Sequence, residues 1–120
     1  MAKNFEIVEL IDLYGAVLSP RQQDFLEYYY CHDLSLSEIA ENEGMSRQGV
    51  RDAIKRAESQ LLDAEEKLGL SKRIKELTEA LNICYSAASE IDRYNDEKLK
   101  DSTIESNTIK IKAAVMKAGI

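Results

Sequence analysis

Ser35-Leu36-Ser37-Glu38-Ile39-Ala40-Glu41-Asn42-Glu43-Gly44-Met45-Ser46-Arg47-Gln48-Gly49-Val50-Arg51-Asp52-Ala53-Ile54-Lys55-Arg56-Ala57 is the stretch on which the fold turns. Its first four residues form a capping box, a serine whose hydroxyl meets an early helical N–H and a glutamate that reaches back. They open a short helix through Ile39 and Ala40 to Asn42. Gly44 supplies the positive φ of a tight turn, Met45 points inward and Ser46 caps the next helix. Ala40 is small enough for the second helix to cross closely, Gly44 follows four residues later and Val50 six beyond that. With Ile39, Met45 and Ile54 also facing inward, this spacing predicts a helix-turn-helix over residues 35–57.

Working outward, Ser19-Pro20-Arg21-Gln22 is a second strong helix start, with proline in the first turn where its missing N–H costs nothing. That helix carries Phe25, Leu26, Tyr29 and Tyr30 and ends near His32-Asp33. Tyr29 and Tyr30 belong to the core, Tyr28 to its edge. A helix over residues 3–14 precedes it, with Phe5, Val8, Ile11 and Leu10 or Leu13 as its apolar stripe and Gly15 as its stop. On the C-terminal side, Val50, Ile54, Ala57, Leu61, Ala64 and Leu68 repeat in steps of four and three. Gly69 interrupts, and a second seam begins out of phase: Leu70, Ile74, Leu77, Leu81, Cys84, Ala88 and Ile91. Residues 95–101 are polar and read as a loop. Ser102-Thr103-Ile104-Glu105 reads as a third capping box, opening a helix with Ile104, Thr108, Ile111 and Val115 inside, closed by Gly119. The fold class is therefore all-α: a helix-turn-helix domain over residues 1–68 and C-terminal helices over 69–120 for packing or dimerisation.

One proline and five glycines in 120 residues agree with long helices rather than many turn-separated strands. The formal charge is −6, unevenly spread. Residues 1–45 hold Lys3 and Arg21 against nine acids, residues 46–70 five bases and five acids, and residues 71–120 nine bases and eight acids. A polyanion would thus meet the chain after residue 45, on a local face. No run approaches the roughly 18 apolar residues of a membrane span, and the acidic first residues do not resemble a signal peptide. Both point to a cytoplasmic protein, where Cys31 and Cys84, at helical apolar positions, are expected as buried free thiols. His32 is the single histidine, so a zinc site with Cys31 would lack ligands. No phosphate loop, nucleophile elbow or His-bearing catalytic pair is present, so neither a cofactor nor an enzymatic activity is expected.

At about 100° per residue, with Val50 facing the core, Gln48, Asp52 and Lys55 point outward on the Ser46 helix. Arg51 lies on one flank, Arg56 and Gly49 on the other. Gln48 suits adenine and Arg51 guanine in a major groove. Ser46, Lys55 and Arg56 suit phosphates. Gly49 lets a backbone approach closely. Asp52, central on this face, either accepts from cytosine or pairs with Arg56 one turn on.

Residues from Leu18 to Leu61 resemble the fourth region of bacterial primary-type sigma factors, a helix-turn-helix that contacts promoter DNA. Tyr28-Tyr29-Tyr30, Asp33 to Glu41 and Ser46-Arg47-Gln48-Gly49-Val50-Arg51-Asp52-Ala53-Ile54-Lys55-Arg56 are more closely similar to the YlxM family of small bacterial helix-turn-helix proteins. Genes of that family usually neighbour those of the signal recognition particle. The resemblance implies a regulatory role connected with protein targeting, with DNA, the particle's RNA or its protein as partner, and Arg47 joins the candidate nucleic-acid residues. Gly49 stands where alanine is usual and Arg51 where an aromatic residue is common, and residues 71–120 match poorly.

Two functions follow. The first is a dimeric DNA-binding regulator using Ser46, Arg47, Gln48, Arg51, Lys55 and Arg56, because reading half-sites usually takes two copies. The second is an adaptor that docks on signal recognition particle protein or RNA through its acidic first 45 residues, with the helix-turn-helix kept as scaffold. The seam from Leu70 to Ile91 either folds back on the N-terminal helices or pairs with its copy in a homodimer. The homodimer is the preferred reading.

Overall fold

The fold is described from a computed structural model covering residues 1–119. Six α-helices account for most of them: α1 (Glu6–Tyr14), α2 (Pro20–Leu26), α3 (Leu36–Glu43), α4 (Arg47–Leu68), α5 (Leu70–Tyr94) and α6 (Ser102–Lys117). Among the described residues there is no strand. By contacts the chain divides into two compact units, Met1–Ser71 and Lys72–Ile120.

In the first unit, local sequence sets the helix starts. Ser19 Oγ accepts from Gln22 N while the Gln22 side chain accepts from Ser19 N, and Ser35 and Glu38 do the same for α3. Helix α2 runs on into a π turn over Glu27–Cys31, closed by His32 N donating to Glu27 O at 3.0 Å. Asp33 then takes a positive φ of 54°, which steers the chain toward α3. Lys3 pairs with its carboxylate and holds it below the usual carboxylate range.

The core of this unit gathers Ile7, Leu10, Tyr14, Leu18, Phe25, Leu26, Tyr29, Leu36, Ile39, Ala40, Val50, Ile54, Ala57 and Leu61. Helix α4 is its spine, packed against α1, α2 and α3. The α4 seam holds through Ala64, but Leu68 is 65% exposed. The phase of α1 differs from expectation. Ile7, Leu10 and Tyr14 face inward, while Phe5 is 70% exposed. This helix is apolar on most sides, so periodicity alone leaves its rotation open. Gly15 is not a left-handed stop either. Its φ of −53° continues α1 into a short 3-10 turn, Gly15–Val17.

Gly69 does end α4, with φ 64° and ψ 27°. Side chains of the first unit then bind the backbone of the next two residues. Tyr14 Oη donates to Glu65 Oε1 at 2.7 Å and accepts from Leu70 N at 3.0 Å, while Ser71 N donates to the same Glu65 oxygen at 2.9 Å. Two orphan N–H groups at the start of α5 are thereby satisfied from α1 and α4. Burial and the Glu65 hydrogen bond push the Tyr14 hydroxyl above its ordinary pKa.

The second unit is an antiparallel hairpin of α5 and α6. Thr108 Oγ1 donates to Asp92 Oδ1 at 3.1 Å, Lys112 Nζ to Asp92 Oδ2 at 3.4 Å, and Lys112 lies over the Tyr85 ring. Residues 95–101 are not a loop throughout. Asn95–Leu99 form a π turn, and buried Asn95 exchanges two hydrogen bonds with the Asp101 backbone. Asp101, not Ser102, caps α6, accepting from Thr103 N and Ile104 N. Thr108 and Val115 are buried, whereas Ile111 stays 43% exposed.

Both cysteines are free, but neither is buried. The π turn carries Cys31 out of the phase of α2. Cys84 lies to one side of the α5 residues that meet α6.

Candidate nucleic-acid interface

Helix α4 begins where Ser46 Oγ accepts from Gly49 N at 3.0 Å. A Cβ at position 49 would stand 3.0 Å from that oxygen and 3.4 Å from Met45 Cε. Gly49 therefore makes room for the cap as well as leaving the outer surface low. Val50 and Ile54 are fully buried beneath the face, which fixes the rotation of the helix. Ser46, Arg47, Gln48, Asp52, Lys55 and Arg56 are exposed as a result, and Arg51 is half-buried.

Asp52 finds its partner within α4. Its carboxylate accepts from Gln48 Nε2 at 2.9 Å, one turn back, rather than pairing with Arg56. Among the described residues it forms no ion pair with a cation of the face. It orients the Gln48 amide by engaging one of its N–H groups.

The cations fall into two groups about this central pair. On one side Arg47, Gln48 and Arg51 line a cleft of about 320 Å³ with Met1 and Leu36. On the other, Arg56 shares a groove of about 440 Å³ with Ser19, Arg21, Gln22, Phe25, Met45 and Ala53. No sequence signal marks Arg21 as a binding residue. Its guanidinium lies over the Phe25 ring at 5.1 Å and donates to Met45 Sδ at 3.0 Å, so it is held beside Arg56 from the neighbouring helix. Only the tertiary approach of α2 to α4 brings them together. Lys55 lines neither groove and is exposed on the outer face.

Tyrosines brace this arrangement from behind. Tyr29 Oη donates to Met1 O at 3.2 Å, and Tyr30 Oη donates to Glu58 Oε1 at 2.6 Å while accepting from Asn4 N at 3.2 Å. Burial and the Glu58 carboxylate push the Tyr30 hydroxyl well above its ordinary pKa. The first residues are in this way tied to the back of the Arg47 and Arg51 cleft.

Of the second seam, Ala88 is buried and Leu81 half-buried, on the side of α5 that meets α6. Leu70, Ile74, Leu77, Cys84 and Ile91 are exposed. Among the described residues no group of three His, Cys, Asp or Glu side chains could hold a metal, and no helix is long and apolar enough to cross a membrane.

A short helix ending in left-handed Gly44, a serine-capped second helix and an outward polar face on a buried seam define a helix-turn-helix protein. Comparison with known proteins agrees. Residues 1–109 match the family described as "Putative helix-turn-helix protein, YlxM / p13 like", and the chain belongs to that family. A "UPF0122 protein" of Clostridium perfringens is 43% identical over 108 residues, covering 84% of this chain and 96% of its own length. One from Desulforamulus reducens is 49% identical over 86 residues, 68% of this chain and 74% of its own.

Proposed function

We propose that the protein is a non-enzymatic, cytoplasmic DNA-binding regulator that lays the start of α4 in a major groove. The observation that carries this reading is the exposed row at the start of α4, where the Gln48 amide, held by Asp52, lines one of two arginine-bearing grooves. Gln48 presents an oriented donor and acceptor to adenine, and Arg51 reaches guanine from its flank. Arg47, Lys55, Arg56 and the Ser46 cap take phosphates, with Arg21 added from α2. Two copies would read paired half-sites. A role in the signal recognition particle pathway is suggested by the family resemblance, and the acidic surface of α1 to α3 supplies a docking face for such a partner.

Selection of bound sequences from a mixed random DNA and RNA pool tests the reading. A duplex DNA site is the expected product. Arg51→Ala should then cost about 1–3 kcal/mol at one base pair and relax preference there. Lys55→Ala should weaken all duplexes alike and flatten the salt dependence. Enrichment of structured RNA alone, or of nothing while signal recognition particle protein is captured through Glu41 and Glu43, would replace this reading with the adaptor.

A further inference from the structure

In the antiparallel hairpin, Ala88, Asn95, Thr108 and Val115 are the buried residues, and two of the four are polar. Their line marks where α5 and α6 meet. At about 100° per residue, Tyr85, Asp92 and Lys112 then fall on one flank of the pair. Ala80, Cys84, Ala87 and Ile91 of α5 fall on the other, beside Ile111 and Ala114 of α6. All six of these are exposed. From Leu77 to Tyr94 and from Ile104 to Ala114, this second flank has no Asp, Glu, Lys or Arg, in a chain that is 32% charged. The ion pair of Arg73 and Glu76 lies beyond one end of it.

We infer that this uncharged flank is a self-association face, on which a second copy of the hairpin packs across a two-fold axis to complete a four-helix bundle. The inference deepens the dimer included in the proposed function and assigns it to a particular face. It differs from the seam, because Leu81 and Ala88 point toward α6. Three features select a second copy as the occupant. A nucleic acid or a charged protein finds no counter-charge there. Alanine and cysteine along α5 let two helices approach closely, and an uncharged face meets its own copy across a two-fold axis without like-charge repulsion. The hairpin also lacks an apolar interior of its own, which facing hairpins would supply. With 16 residues in α6, the face is about 24 Å long and, two helices wide, about 20 Å across, on the order of 1,000 Å² for the two copies together. That reaches the size of a specific interface.

Sedimentation velocity on the full chain, without nucleic acid, at about 5 and about 100 µM is the test. A dimer is expected, with Ala87→Glu and Ile91→Lys raising its dissociation constant at least about 100-fold. Ile109→Lys, on the opposite flank, should leave it unchanged. Circular dichroism confirms that each variant keeps its helices. A second measurement needs no substitution. Maleimide labelling of Cys84 should slow as concentration rises, with exposed Cys31 as the internal reference. A monomer at both concentrations would overturn the inference. So would a dimer broken by Ile109→Lys but not by Ala87→Glu, or unprotected Cys84 in a dimer. Because no DNA is present, failure of the Arg51 and Lys55 tests leaves this result standing, and the reverse also holds.

Discussion

The two units of this chain bury their side chains very differently. Fourteen apolar residues share one core in Met1–Ser71, whereas Lys72–Ile120 buries Ala88 and Val115 beside two polar groups. Yet α5 is the longest helix of all, with 25 residues. Helix length and helix anchoring are therefore separate properties. The first follows from local propensity and caps, the second from what the apolar face meets.

Substitutions break the comparison most sharply in the larger core. Leu26→Ala, at a fully buried site, should cost about 2–5 kcal/mol in urea unfolding, because the cavity cannot collapse among so many neighbours. Leu77→Ala, at a site 48% exposed, should cost under about 1 kcal/mol in the same assay at concentrations too low for association. Tyr14→Phe comes next. It strips Leu70 N of its acceptor and Glu65 of a donor, for about 1–2 kcal/mol. Asp101→Ala removes the cap of α6 and should cost about 1 kcal/mol, read as helicity lost from the hairpin alone. Gly49→Ala should change least, within about 0.5 kcal/mol. Its gain in helix propensity is offset by crowding of the Ser46 cap, and thermal unfolding gives the sign.

Much of the first unit was legible because its decisive signals are short. The Ser19 and Ser35 boxes each span four residues, and the geometry they specify is closed within those residues. Gly44 and Gly69 likewise declare their positive φ locally. The inward set of α4 was readable because Val50, Ile54, Ala57 and Leu61 stand out against polar neighbours. Where contrast fails, so does the reading. Phe5, Ile7, Val8, Leu10 and Ile11 offer α1 several stripes, and contact with α4 chooses among them. At the end of α5, a polar run hid the fact that Asn95 satisfies itself on the Asp101 backbone and can be buried. On the candidate interface, helical angles agree with the exposure of Gln48, Lys55 and Arg56 and the half-burial of Arg51. They could not place Arg21, which arrives from another helix, or choose Gln48 over Arg56 as the partner of Asp52.

The hydroxyl of Tyr14 and the carboxylate of Glu65 have a further consequence, one of exchange kinetics. Backbone N–H groups at the start of a helix ordinarily swap their hydrogens with water quickly, for want of an acceptor. Those of Leu70 and Ser71 have acceptors supplied by α1 and α4. Their protons should be retained far longer than helix-start protons that have no acceptor, and Tyr14→Phe should speed the exchange at Leu70. Deuterium uptake at these two positions is then a clock for the opening of the whole N-terminal core, ticking at the first turn of the helix that leaves it.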